Sequence, residues 1–210
     1  MVHQTYSIIA EDIGKRFGRD VLFRNINFTL HTGDAIAITG PNGSGKSTLM
    51  LITAGLRRAD RGTVFHRQGD NEIPKEELYR HVGMVSPALM PYRELSAMEN
   101  IQFALGNTSF DANRVHHTLE QFQLYQHRHK PVSQYSTGML QRLKVILATC
   151  MNPGILFMDE PGSNLDTHGK DLVYGYIDAV RENTILCIAT NEIHEAGLCQ
   201  RSIELGTDNN

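Results

Sequence analysis

The residues from Gly40 to Thr48 read GPNGSGKST and place glycine, lysine and hydroxyl at the spacing G-x-x-x-x-G-K-[ST]. Gly40, Gly45, Lys46 and Ser47 occupy every fixed position, with Pro41, Asn42, Gly43 and Ser44 between them. That combination suits a polyphosphate. Gly43 and Gly45 allow backbone angles that side chains forbid, so successive N–H groups can turn toward phosphate oxygens. Lys46 is placed to reach the β and γ phosphates of a nucleoside triphosphate, and the Ser47 hydroxyl to hold Mg2+. All nine positions, through Thr48, are therefore expected to line a nucleotide. Asp159-Glu160 forms the second chemical pair: the Asp suits holding Mg2+ through water or through its partner Ser, and the Glu suits polarising an attacking water. Hydrolysis is the reaction such a set would perform.

Positioning these groups requires strands that end at them. Ala35 to Ile38, Ile155 to Met158 and Ile185 to Ala189 are short apolar runs of the kind buried on both faces of a parallel sheet. The first runs into the phosphate loop, the second into Asp159-Glu160, and the third into Thr190-Asn191-Glu192. Ligands of open parallel sheets gather at the carboxyl ends of strands, so the three motifs should converge. Leu49, Ile52, Thr53 and Leu56 recur at helical spacing behind the loop, with Gly55 as a stop. Weaker strand signals lie at Ser7 to Asp12, Ile26 to Leu30, Thr63 to Arg67 and Val82 to Val85. From about Pro87 to Asn152 helical spacing replaces them. One apolar stripe runs through Met139, Leu140, Leu143, Ile146, Leu147 and Cys150, and a later one through Leu172, Val173, Tyr176, Ile177 and Val180.

The expected class is α/β: a P-loop nucleotide-binding core with a mixed, mainly parallel sheet, an antiparallel β part toward the N-terminus, and a helical subdomain. The expected boundaries within the single domain 1–210 are 1–86 and 153–210 for the core and 87–152 for the helical part.

A chain of 210 residues with 40% hydrophobic and 20% charged content can bury one substantial core. No apolar run approaches the ~18 residues that a membrane helix needs. The first residues lack a signal peptide's basic start and apolar centre, and no regulatory extension is expected after Gly206. A net charge of −3 gives no electrostatic reason to expect nucleic acid as a partner. Cys150, Cys187 and Cys199 form no C-x-x-C pair and fit a reducing cytoplasm. His116-His117 and His127-x-His129, with no Cys nearby, read as solvated helical surface.

The order of motifs resembles that of the ATP-binding-cassette (ABC) ATPases over nearly the full chain. Tyr135-Ser136-Thr137-Gly138-Met139, followed by Leu140-Gln141-Arg142, is similar to the family's signature. There Ser136 would offer a hydroxyl and Gly138 a close backbone approach to phosphates, at the positive end of a helix. Pro161 to Asp166, PGSNLD, resembles the family's D-loop, and Phe17 matches the aromatic that stacks on adenine. The resemblance implies a head-to-tail dimer with a second ATPase subunit, each ATP closed between one subunit's phosphate loop and the other's signature. It also implies a membrane-spanning transporter subunit that holds the chain at the cytoplasmic face of the membrane. The segment from Ala88 to Asn100 falls where that subunit would meet it, with Leu89, Met90 and Tyr92 serving either as a docking patch or as local core.

Two family positions are filled differently. The switch histidine is replaced by Asn191, whose neutral, shorter amide can still donate to the γ phosphate as the catalytic group there. His194 lies a turn further on. The glutamine expected after Val82 to Val85 is replaced by Ser86-Pro87, and Pro87 offers no side-chain ligand. With Glu160 and Lys46 intact as catalytic residues, the expectation is slow hydrolysis. A cytosolic cassette ATPase and a nucleotide-dependent interaction module that scarcely hydrolyses ATP are the alternatives.

Overall fold

A computed structural model describes residues 5–106 and 111–206. The first four residues and those after Gly206, on which the expectations about a leader and an extension fall, lie outside the described residues. Nine strands and six α-helices follow in chain order among the described residues. The first part runs β1 (Tyr6–Phe17), β2 (Asp20–His31), β3 (Ala35–Thr39), α1 (Lys46–Thr53), β4 (Arg61–Gln68), β5 (Asn71–Glu72) and β6 (Val82–Val85). Three helices come next: α2 (Ala97–Leu105), α3 (Ala112–Gln121) and α4 (Thr137–Thr149). The chain then returns through β7 (Ile155–Asp159), α5 (Thr167–Val180), β8 (Ile185–Ala189), α6 (Ile193–Ala196) and β9 (Arg201–Glu204).

The β part resolves into two separate sheets. One is antiparallel, in the order β2-β1-β4-β5, and the other is parallel throughout, in the order β6-β7-β8-β3-β9. The three apolar runs expected as buried strands are the three central strands of the parallel sheet. Their side chains alternate between two hydrophobic clusters. Leu156, Met158, Leu186 and Ile188 face α4 and α5, whereas Ile155, Phe157, Ile185 and Cys187 face α1 and the antiparallel sheet. Burial on both faces is what makes these strands continuously apolar. Each fully buried aliphatic or aromatic side chain stabilises the fold by about 1.5–3 kcal/mol.

Helices α2 and α3 close onto the α4 face through Ile101, Leu119 and Phe122, so the helical region shares one core cluster with the sheet. Ser96 starts α2 with a capping box, its hydroxyl accepting from the Glu99 amide while the Glu99 carboxylate accepts from the Ser96 N–H. Such caps stabilise helix starts by about 1 kcal/mol. Two local expectations differ from what is observed. Helix α1 ends at Thr53, and Leu56 lies outside it, largely exposed, because Gly55 takes φ +73° and turns the chain away. Strand β9, which pairs in parallel with β3, stands in RSIE, a stretch with too few apolar residues to announce a strand.

Candidate nucleotide site

The sheet register brings the motifs together. Ile38 and Asp159 both pair with Ala189, so the carboxyl ends of β3, β7 and β8 lie side by side. The Thr190 N–H donates to the Ile38 carbonyl at 3.0 Å and the Glu160 N–H to the Ala189 carbonyl at 2.9 Å, locking the exits of the three strands. Between Ile38 and α1 the loop curls with φ +84° at Gly43 and +103° at Gly45. A side chain at either position would strain that path. Helix α1 begins at Lys46 with no side-chain cap. The first N–H groups of such a helix have no intrahelical partner and form a site for anions.

A cleft of about 320 Å³ opens over this loop. Asn42, Gly43 and residues 45–48 line it, together with Phe17, Leu22 and Glu160. Phe17 is 53% exposed despite being aromatic, and presents its ring to the cleft with the Lys15 ammonium 5.7 Å from its centroid. Lys46 is buried, and its Nζ donates to the carbonyls of Gly40 and Pro41 at 2.8 and 3.0 Å. The Ser44 hydroxyl is buried without a partner among the described residues. The Thr48 hydroxyl accepts from Arg57 Nη1 at 3.1 Å. A cationic side chain hydrogen-bonded to loop carbonyls and a buried hydroxyl without a partner among the described residues fit a polyanionic guest.

Asp159 is buried at the end of β7 and accepts a hydrogen bond from the Ser47 hydroxyl. Burial pushes its carboxyl up from the ordinary value, while Ser47 and the Lys46 charge pull it down. The pair offers two hard oxygen donors on one spot, a donor set that fits Mg2+. Among the described residues no group of three His, Cys, Asp or Glu side chains gathers to hold a metal by itself. Mg2+ is the ion that needs no such cage, because it keeps waters and takes phosphate oxygens as ligands.

Other expected site residues lie elsewhere. Ser136 caps α4, its hydroxyl accepting from the Met139 N–H at 3.2 Å, and neither it nor Gly138 reaches this cleft. Gly138 packs instead toward the turn at Asn164 and Leu165. Asn191 is exposed and does not line the cleft; its amide donates to Asn42 Oδ1. His194 stacks on Tyr174, with ring centroids 5.2 Å apart. The Ser86 hydroxyl is taken up locally by the Ala88 N–H at 3.3 Å, and its carbonyl accepts from the buried Lys144 Nζ at 3.2 Å. Leu22 and Lys144 escaped sequence reasoning, as did the contact of Gln141, named there only within the signature stretch, with the Glu160 and Pro161 carbonyls. Leu22 touches the loop only because Gly45 leaves room for it, and the other two look like ordinary helix positions.

The family model described as "ABC transporter" matches residues 23–163, two-thirds of the chain, a stretch that includes the phosphate loop and Asp159-Glu160. This chain belongs to the ABC transporter family. An ABC protein of Rhizobium johnstonii, the cytochrome c biogenesis ATP-binding export protein CcmA, is 35% identical over 195 residues, covering 88% of each chain. The sulfate/thiosulfate import ATP-binding protein CysA of Mesostigma viride is 35% identical over 164 residues, 76% of this chain. Our chain spans about half the length of CysA relatives of this kind, 47% in that case. Among solved ABC structures, a dimeric cassette in a post-hydrolysis state with ADP and Pi superposes with a TM-score of 0.81 at 23% identity, over 94% of both chains. An Atm1-family ABC exporter with ATP bound gives 0.83 at 19% identity, over 98% of this chain and 38% of that one. These likenesses carry the fold: a parallel P-loop sheet flanked by helices, with an antiparallel sheet beside it.

Proposed function

We propose that this chain binds and hydrolyses ATP as the ATPase subunit of an ABC transporter, driving substrate movement through a separate membrane subunit at the cytoplasmic face of the membrane. The carrying observation is the cleft, where Phe17, the loop from Asn42 to Thr48 and Glu160 meet beside the Ser47–Asp159 pair. Phe17 stacks on adenine. Lys46 and the N–H groups of Gly43 to Thr48 hold the phosphates, with Gly40, Pro41 and Ser44 shaping the loop around them. Ser47 and Asp159 hold Mg2+, which when bound neutralises phosphate charge. Glu160 orients the attacking water and accepts its proton. Asn191, released from Asn42, donates to the γ phosphate. Ser136 and Gly138 face the nucleotide of a second ATPase subunit in a head-to-tail dimer, which is why they stand away from this chain's own cleft.

Residues 1–86 with 153–210 act as the nucleotide core and 87–152 as the helical subdomain. Leu89, Met90 and Tyr92 are each about half exposed and rim a groove of about 310 Å³ between β6, α2 and α4. That exposure favours a docking patch for the membrane subunit over local core. The Asn42–Asn191 pair and the local engagement of Ser86 favour slow turnover, and in the limit a module that binds ATP and scarcely hydrolyses it. Phosphate release from the purified chain, measured beside binding of a fluorescent ATP analogue, separates these readings. Binding with slow release that Glu160→Gln lowers steeply to a measurable remainder supports the ATPase; binding with no release supports the module; no binding refutes both.

A further inference from the structure

Glu160 follows β7 in the left-handed backbone region, at φ +51°, where a non-glycine residue does not rest unless its surroundings hold it. Three contacts do so. Its N–H is fixed to the Ala189 carbonyl at 2.9 Å. Gln141 Nε2, from α4, donates to the carbonyls of Glu160 and Pro161 at 3.3 and 3.0 Å. Two residues on, the Gly162 N–H donates to Glu195 Oε1 at 2.7 Å.

Glu195 is an unusual anchor. Its side chain is 1% exposed, Oε1 receives both the Gly162 N–H and the Tyr174 hydroxyl, the latter at 3.0 Å, and Oε2 has no partner among the described residues. A Cβ at position 162 would collide with the Tyr174 hydroxyl and stand 2.6 Å from Glu195 Oε1, so glycine is what lets the carboxyl close on the turn. Burial and the Glu195 charge push the Tyr174 phenol up, which keeps its proton available for donation. Burying a carboxyl with one oxygen unsatisfied is costly, so the acceptor that Oε1 offers to both Gly162 and Tyr174 has to offset that cost.

We propose that Glu195 is a positioning residue for Glu160, holding the turn Glu160-Pro161-Gly162 so that the Glu160 carboxylate stays over the cleft. This rests on the reading that Glu160 serves hydrolysis. Glu195 lies on α6, which begins two residues after Asn191, so the anchor of the Glu160 turn and Asn191 stand on one short stretch of chain.

The test uses the full chain carrying Glu195→Leu or Glu195→Gln, each alone and combined with Glu160→Gln. Measured are kcat and KM for ATP, the Kd of a fluorescent ATP analogue, and the melting temperature. Glu195→Leu is expected to lower kcat by roughly tenfold or more, since small misplacements of a reacting group cost that much, while KM and Kd stay within about twofold. Glu195→Gln keeps an oxygen that accepts from Gly162 and retains most of the turnover. In the Glu160→Gln background Glu195→Leu adds no further loss. Losses that multiply, a Kd that weakens in step with kcat, or a Gln variant as impaired as Leu would overturn the proposal. Should Glu195→Leu fail to fold, Gln141→Leu frees the same turn from the α4 side and carries the same expectation. Parental turnover in Glu160→Gln alone would instead refute the role of Glu160 itself.

Discussion

Replacing Asn191 by histidine should speed the chain up, and the structure bounds by how much. Asn191 spends its amide on Asn42 Oδ1, and both residues are exposed. A hydrogen bond of that kind has a net worth of about 1 kcal/mol, which must be given up before Asn191 can turn to a phosphate. A preorganised donor at developing negative charge lowers a barrier by about 3 kcal/mol. An imidazole supplies that donor without the Asn191–Asn42 bond to give up, so its gain over the latched asparagine is about 1 kcal/mol, or about fivefold in kcat. Asn42→Ala, which only releases the latch, should yield about fivefold. Single-turnover phosphate release on the two variants and the parent, with the nucleotide Kd measured alongside, reads both values. A rate for Asn191→His at or below the parent's, at unchanged Kd, refutes the reasoning.

Two further outcomes are expected. Phe17→Ala should weaken ATP by about three- to tenfold, the range of one aromatic stack, while GTP and ATP become more alike in affinity; titration of both nucleotides checks it. Asp159 has its carboxyl pushed up by burial, so the folded chain binds that proton more readily than the unfolded chain does. Its ionisation therefore opposes folding once pH rises through the unfolded value of 3.8, and the opposition persists at neutral pH. Asp159→Asn should accordingly raise the melting temperature of the nucleotide-free chain while abolishing the Mg2+ dependence of ATP binding. In the parent that dependence should fade on acidification at a pH above 3.8.

The central strands and the loop were legible because a run such as ILFM tolerates no other environment, and GPNGSGKST has few alternative uses. Strand β9 was not, because its pairing with β3 comes from position rather than from the composition of RSIE. Likewise the site's ingredients could be read, but not which of them are engaged. Asn191 reads as a free donor in sequence; its partner Asn42 lies 149 positions away and is visible only once β3 and β8 pair. Glu195 carries no periodic signal, since α6 has only four residues, and its meaning depends on a glycine 33 positions upstream. For Leu89, Met90 and Tyr92 the sequence left docking and core both open, and their being about half exposed depends on how β6, α2 and α4 pack around them.

Helix α4 runs for 13 residues, which at 1.5 Å per residue makes a rod of about 20 Å. One end is the Ser136 cap, Gln141 near the middle grips the Glu160 turn, and Leu147 and Ala148 line the apolar groove. Lys144 ties the same shaft to the Ser86 carbonyl at the end of β6. A packed interior has low compressibility, so these attachments are held at fixed spacings along the helix. A displacement of α4 at the groove would therefore carry with it both the Gln141 contact to the Glu160 turn and the Ser136 cap, so that three separate regions of the chain share one rigid support.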